Sequence, residues 1–434
     1  MGVSSNTNSL RIILLALGVL ALAACSSQRE LMPAPNLYNQ PDAPALFDGL
    51  DPSLQTSTMD ILYVTDRSKE QDEEGNLTYG WGRSHSAAFG SIKLAIKPEV
   101  PWDRLVELSL QPERDETLTI ELDSITELGR FPATPLPATI QDGQVTIKEE
   151  ALLAVREAED AFHAELRRRL AVSNRKEVLL FVHGFNNDME YAAETLANLW
   201  HFLGREYVPI LYTWPAGRGG ATGYTYDRES GEFTIFHLKN ILSSITAVEE
   251  VEQLQLLAHS RGTDVLSTAV RELILTHRAG GVDPLDTLRI ENYVLAAPDL
   301  DMDVVSQRMV AEYLGTGVGD VTIYTAEDDK AIGIAEWLFK SRRRMGRVSL
   351  ESFDPENAAL LQNVEGISFV RLEEVADSTG HGYFHNSPEA SSDLILNLRY
   401  ERQPGAEHGR PLESKGPRFW LIEPGYPAQT TGSN

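Results

Sequence analysis

The chain has 434 residues, 42% hydrophobic and 24% charged, enough for one large decorated α/β domain or for two domains. Its 38 Lys and Arg against 64 Asp and Glu give a formal net charge of −26, with the acid spread along the chain. Such a surface disfavours nucleic acid and anionic membrane as general partners and favours solubility.

Arg11 precedes a mainly apolar run, residues 12–24, too short to cross a bilayer and of the length of a signal-peptide core. Leu22-Ala23-Ala24-Cys25 looks like a bacterial lipobox, where cleavage leaves a lipidated cysteine at the new N-terminus. Residues 1–24 are therefore expected to be a lipoprotein signal peptide and Cys25 the lipid anchor, two acyl chains holding where one does not. The plainer alternative is an ordinary secretory signal with an incidental cysteine. In a Gram-negative cell, Ser26 after the cysteine resembles lipoproteins sent to the outer membrane and facing the periplasm. Cys25 is the single cysteine, which excludes a structural disulfide within the chain and a thiol nucleophile elsewhere.

Residues 25–58, rich in Pro, Ser, Asn and Asp without a period, read as a flexible tether. Residues 59–66 and the alternating run 89–96, stopped by Pro98, read as two strands at the edge of a sheet. Residues 99–148 are ambiguous, with turns at Pro132, Pro135 and Pro137. A helix is predicted over 149–170, with Leu152, Val155, Phe162, Leu166 and Leu170 on one face. The alternation then becomes regular. Strands are predicted at 177–183, 208–214, 254–258, 290–297, 321–325 and 367–372, and helices at 188–203, 236–249, 303–314 and near 331–339. Short apolar strands alternating with amphipathic helices imply an α/β domain over 59–400, a mostly parallel sheet of about eight strands covered on both faces. The C-terminal extension 401–434 is expected to wrap the surface, with residues 419–422 docking as an extra strand.

At 254–262 an apolar strand ends abruptly in Ala258-His259-Ser260-Arg261-Gly262, and an amphipathic helix begins at once. Small residues two before and two after Ser260 allow a sharp strand-to-helix turn that lifts a hydroxyl above the sheet, a nucleophile elbow with Ala258 in place of its first glycine. The bland alternative is a serine that caps the helix. An activated serine needs a base, an orienting acid and donors for the oxyanion. Asp329 follows the strand at 321–325, and His381 follows the last central strand, so Ser260, Asp329 and His381 stand in the order Ser, Asp, His. Asp328 and Asp299 are rival acids, Asp299 alternatively capping the next helix with Asp301 and Asp303. His385 is the rival base, alternatively a surface histidine. The strand ending in His183-Gly184-Phe185-Asn186-Asn187 can supply the Phe185 N–H to an oxyanion, with the Arg261 N–H as second donor. His183 itself reads as a brace for that loop.

The set Tyr63-Val64-Thr65-Asp66-Arg67, Phe89-Gly90, Phe181 to Asn186, Thr213-Trp214-Pro215, Ala258 to Gly262, Ala296-Ala297-Pro298-Asp299 and Gly380 to Phe384 resembles a bacterial family of α/β-hydrolases. Its members are called esterase/lipase-like domains of unknown function. The resemblance spans roughly 58–400 and implies an α/β-hydrolase fold with Ser260 as nucleophile, His381 as base and Asp329, followed by Lys330-Ala331, as acid.

The loop 217–220 lacks the Lys-Ser/Thr ending of a phosphate loop and reads as pocket rim, with Trp214 packed beside it. Lys340, Arg342, Arg343, Arg344 and Arg347 read as a solvated helix end in preference to an anion site. With no His-Glu-x-x-His and no cysteine cluster, neither metal nor cofactor is expected. The reading is a lipid-anchored serine hydrolase acting on a small-molecule or lipid ester. Amidase, peptidase or acyltransferase chemistry on the same triad is the rival, as is a non-catalytic envelope scaffold.

Overall fold

The computed structural model describes residues 29–219, 222–326, 329–332, 344–349, 365–373 and 381–428. The signal peptide, Cys25, Asp328, Lys340, Arg342 and Arg343 lie outside the described residues.

The strands are β1 (Arg29–Glu30), β2 (Thr58–Gln71), β3 (Leu77–Lys97), β4 (Thr119–Arg130), β5 (Ala138–Gln141), β6 (Gln144–Ile147), β7 (Glu177–Val182), β8 (Val208–Thr213), β9 (Gln253–His259), β10 (Ile290–Ala296), β11 (Asp320–Ala326), β12 (Ile367–Leu372), β13 (Glu413–Gly416) and β14 (Phe419–Ile422). The helices are α1 (Trp102–Leu110), α2 (Glu149–Val172), α3 (Met189–Phe202), α4 (Gly223–Thr246), α5 (Gly262–Ala279), α6 (Pro284–Leu288), α7 (Met302–Val305), α8 (Tyr383–Asn386) and α9 (Pro388–Leu398). Among the described residues twelve strands form one sheet in the order β1-β4-β3-β2-β8-β7-β9-β10-β11-β12-β14-β13. From β2 through β14 in that order, each strand runs parallel to the next. Eight parallel strands thus make the expected α/β-hydrolase sheet, and antiparallel strands extend it at both edges.

Burial on both faces explains why these strands do not alternate: all six residues of β7, Glu-Val-Leu-Leu-Phe-Val, are buried. On one side Leu196, Phe202 and Leu394 of α3 and α9 cover the sheet. On the other, Phe162, Leu242 and Leu266 of α2, α4 and α5 do so. The parallel direction brings the loops after β7, β9, β11 and β12 to one edge, where any site must assemble.

Several expectations need correction. The pair β2–β3 is not the sheet edge, because β4 and then β1 pair outside it. From residue 29 on, the expected tether is packed. Leu31, Met32, Leu37, Tyr38 and Leu46 are buried in the α3/α9 layer, and Tyr38 Oη donates to Phe202 O at 2.6 Å. Their irregular spacing carries no period, although the side chains are apolar enough to dock. The helix expected at 303–314 is broken into α7, a π turn at Ser306–Val310 and a 3-10 turn at Leu314–Gly317. Helix α4 starts well before residue 236, taking in part of the glycine-rich loop. Leu152 shares the face of Phe162, Leu166 and Leu170 by its spacing but lies in the first turns of α2, where that face is exposed. The C-terminal segment docks as β14 against β12.

Glu194 of α3 is buried, and desolvation raises its pKa to about 7 despite the Arg29 charge nearby. The folded chain therefore holds a proton that the unfolded chain releases near pH 4.5, so Glu194 makes stability fall as pH rises from about 4.5 to about 7. Urea unfolding at pH 5 and pH 8 is expected to show a smaller drop in midpoint for Glu194→Gln than for wild type. Equal drops would remove Glu194 as the cause.

Candidate active site

Strand β9 ends at His259, and Ser260 turns the chain with φ +53°, a left-handed conformation that a serine adopts only under constraint. Its neighbours supply that constraint. The Ser260 N–H donates to Ala296 O at 3.0 Å, and its carbonyl accepts from the Thr263 N–H, the Thr263 hydroxyl and the Asp299 N–H. Helix α5 then begins at Gly262, where a Cβ would sit 2.3 Å from His183 O and 2.6 Å from Val182 O. Only glycine lets the helix start so close to β7. Ala258, in place of the first glycine, is fully buried between β7 and β10.

The loop after β7 lies against this turn: a Cβ on Gly184 would come within 2.8 Å of Ser260 Cβ. Its N–H groups are largely committed. Gly184 donates to Asn187 Oδ1 at 3.1 Å and Asn186 to Asp227 Oδ2 at 2.9 Å. Among the described residues, the N–H groups of Phe185 and Arg261 have no acceptor, as an oxyanion pair requires. The Arg261 side chain turns away to pair with Asp264 at 2.7 Å.

Asp329 follows β11 and His381 precedes α8. His381 Nδ1 donates to Asp329 Oδ2 at 2.7 Å, which makes Nε2 the lone-pair nitrogen of the neutral ring. The other oxygen, Oδ1, accepts from the Ile332 N–H at 2.9 Å, so the buried carboxylate is held at both ends. His259, one residue before Ser260, packs its ring 4.7 Å from that of His381 and donates its Nε2–H to the His381 carbonyl at 3.1 Å. Burial, and then the neighbouring imidazole, hold His259 well below the usual histidine range.

The rival residues are occupied elsewhere. Asp299 accepts from Tyr224 Oη at 2.6 Å and pairs with Arg344 Nη1 at 3.0 Å, while Asp301 alone of the three aspartates caps α7. Arg344 is therefore buried in an ion pair, and the solvated helix end expected of the basic cluster does not hold for it. His385 is no surface histidine either. It is buried with Arg29 Nη2 at 3.0 and 3.1 Å from its two ring nitrogens, and burial followed by that cation pushes its pKa well down. His183 is a fully buried brace that stacks on Trp214 at 5.3 Å. Three contributors escaped the sequence reading: Asp227, whose Oδ2 ties Asn186 to Gly217; Arg67, beneath the same loop; and Tyr224, whose ring lies 5.2 Å from Phe185. Arg67 stood in a quoted motif without a role, and Asp227 carries no local signal on a helix of mixed polarity.

A family model described as an alpha/beta hydrolase of unknown function (DUF900) matches residues 158–398, more than half of the chain. No curated protein matches. Among solved structures, an esterase of Pyrobaculum calidifontis is 12% identical, covering 58% of this chain and 93% of its own with a TM-score of 0.29. A lipase-esterase related protein of Clostridium acetobutylicum is also 12% identical, covering 52% and 97% with a TM-score of 0.28.

Gly262→Ala must push the start of α5 off the β7 carbonyls, and a loss of about 1–3 kcal/mol in urea unfolding is expected. Gly280→Ala, whose Cβ would meet nothing nearer than 3.4 Å, is expected to leave stability unchanged or raise it. Similar losses in both would sink the account of the turn.

Proposed function

This chain belongs to the alpha/beta hydrolases of unknown function, and on that premise we propose that it is a serine hydrolase cleaving a carboxylic ester through Ser260, His381 and Asp329. The observation that carries the reading is the 2.7 Å bond from His381 Nδ1 to a buried Asp329, with the His381 ring packed 4.7 Å from that of His259, the residue before a serine held at positive φ. Ser260 Oγ attacks the ester carbonyl carbon while His381 Nε2 takes the hydroxyl proton. Asp329 keeps the imidazole oriented and stabilises its cation. The N–H groups of Phe185 and Arg261 receive the developing oxyanion. As the tetrahedral intermediate collapses, the leaving alkoxide takes the proton back from His381. Water, deprotonated by the same nitrogen, then releases the acid from Ser260. We place this body at a membrane surface through lipid on Cys25, a reading supported by the lipobox-like residues 22–25.

A fluorophosphonate probe is expected to label the wild type and not Ser260→Ala, and ester turnover in that variant is expected to fall by roughly 10⁴-fold or more. Labelling that survives the substitution would place the nucleophile elsewhere. For the anchor, radioactive palmitate is expected to enter the wild-type protein in cells and not Cys25→Ser. Equal incorporation would refute lipidation at that residue.

A further inference from the structure

The Thr65-Asp66-Arg67 stretch at the upper end of β2 has no part in the chemistry above and precedes the matched segment 158–398. Yet Arg67 is among the largest fully buried side chains. Among the described residues no carboxylate lies within ion-pairing distance, 4.0 Å, of its nitrogens. A buried guanidinium without such a partner is expensive unless its donors are satisfied. Here they are. Nε donates to Thr213 Oγ1 at 2.8 Å. Nη1 donates to Ala216 O at 2.7 Å and Gly80 O at 3.2 Å. Nη2 donates to Asn187 O at 2.7 Å and His183 Nε2 at 3.2 Å.

These five acceptors belong to three separate pieces of chain: β3, the exit of β8, and the two ends of the loop that carries Phe185. His183 completes the link. Its Nδ1–H donates to Gly184 O at 2.9 Å, so Nε2 is the lone-pair nitrogen that accepts from Arg67 and from the Trp214 N–H. Desolvation, followed by the Arg67 charge, holds His183 well below the usual histidine range, which fixes this neutral form. Burial lowers Arg67 itself only to about 10, so it stays cationic at neutral pH.

We propose that Arg67 is the positioning residue of the oxyanion loop: its planar fork clamps His183 and Asn187, the two ends of that loop, against the exit of β8 and so seats Phe185 beside Ser260. The proposal rests on the hydrolase reading for its catalytic consequence, and on the hydrogen bonds alone for the clamp. Lysine, with three donors on a single nitrogen, cannot span the same acceptors. Thr65 provides a control. Its hydroxyl joins β2 to β8 through Thr213 O at 2.8 Å and accepts from the Arg67 backbone N–H at 3.1 Å, but it hydrogen-bonds no residue of the oxyanion loop and leaves the Arg67 fork untouched.

The test compares Arg67→Lys, Arg67→Met and Thr65→Val in the full-length protein, each with its urea midpoint measured. Two readouts are taken: amide hydrogen exchange over residues 184–188 and steady-state ester kinetics. In both Arg67 variants exchange in that segment is expected to rise about tenfold or more, and it stays unchanged in Thr65→Val. Loss of one oxyanion donor typically lowers kcat by about 10²–10³-fold, so a fall of that order is expected in Arg67→Met, with KM within about threefold. A smaller fall is expected in Arg67→Lys. Unchanged exchange over 184–188 in Arg67→Met overturns the proposal. So does a kcat loss that Thr65→Val reproduces at the same loss of midpoint. If the wild type turns over no ester, the hydrolase reading fails, and the exchange experiment still decides the clamp by itself.

Discussion

A serine forced into left-handed backbone at the end of a buried strand is tolerated only where its surroundings over-determine it. The strain of such a residue is of order 1–3 kcal/mol. Here the opposition comes from bonds to three elements at once: Ala296 at the end of β10, Thr263 in the first turn of α5, and Asp299 in the loop beyond β10. The missing Cβ at Gly262 allows α5 to start against β7 carbonyls. Removing any of these would let Ser260 relax into the sheet or the helix, and the hydroxyl would leave the edge where His381 and Phe185 stand. The parallel sheet matters to this site chiefly because it brings β7, β9, β10 and β11 to that turn in fixed register.

The same edge sorts its histidines by environment. His183, His259 and His385 are each pushed well below the usual range by burial and by a neighbouring cation or imidazole. They serve as neutral, directional hydrogen-bond groups. Of these four imidazoles only His381 meets a carboxylate among the described residues. The division follows from where charge is available: Arg67 and Arg29 sit beside His183 and His385, while Asp329 sits beside His381.

How much of this was legible from residues alone varies with the physics of each element. Buried parallel strands announce themselves as short apolar runs, so β7 through β12 fall close to where pattern places them. The elbow is legible because Ala258 and Gly262 flank Ser260 at fixed offsets. Asp329 could be singled out among neighbouring aspartates only through the family resemblance, and its carboxylate bonds His381. Segment 29–58 was misread because its docking side chains, Leu31, Leu37 and Leu46 among them, follow an irregular chain with no repeat. The outer strands β4 and β1 were missed because they are half exposed and owe their place to pairing, β4 with β3 and β1 with β4. Asp227 and Arg67 act through backbone groups distant in sequence, which no local pattern records.

The two ends of the described chain also meet. Leu37 N–H bonds Ser392 Oγ at 3.0 Å, Arg399 Nη1 donates to Tyr38 Oη at 2.9 Å, and Asn36 Nδ2 donates to Tyr426 O at 3.0 Å. The layer over α3 and α9 therefore closes only with residues separated by more than three hundred positions. Such contacts form late, because the loop entropy must be overcome before they are made. A ribosome or translocation pore releasing this chain from its N-terminus has delivered every strand but β13 and β14 before that layer can shut. The cover of this face of the sheet thus has a timing as well as a shape: residues 36–38 have no seat until α9 and the segment beyond it have been delivered.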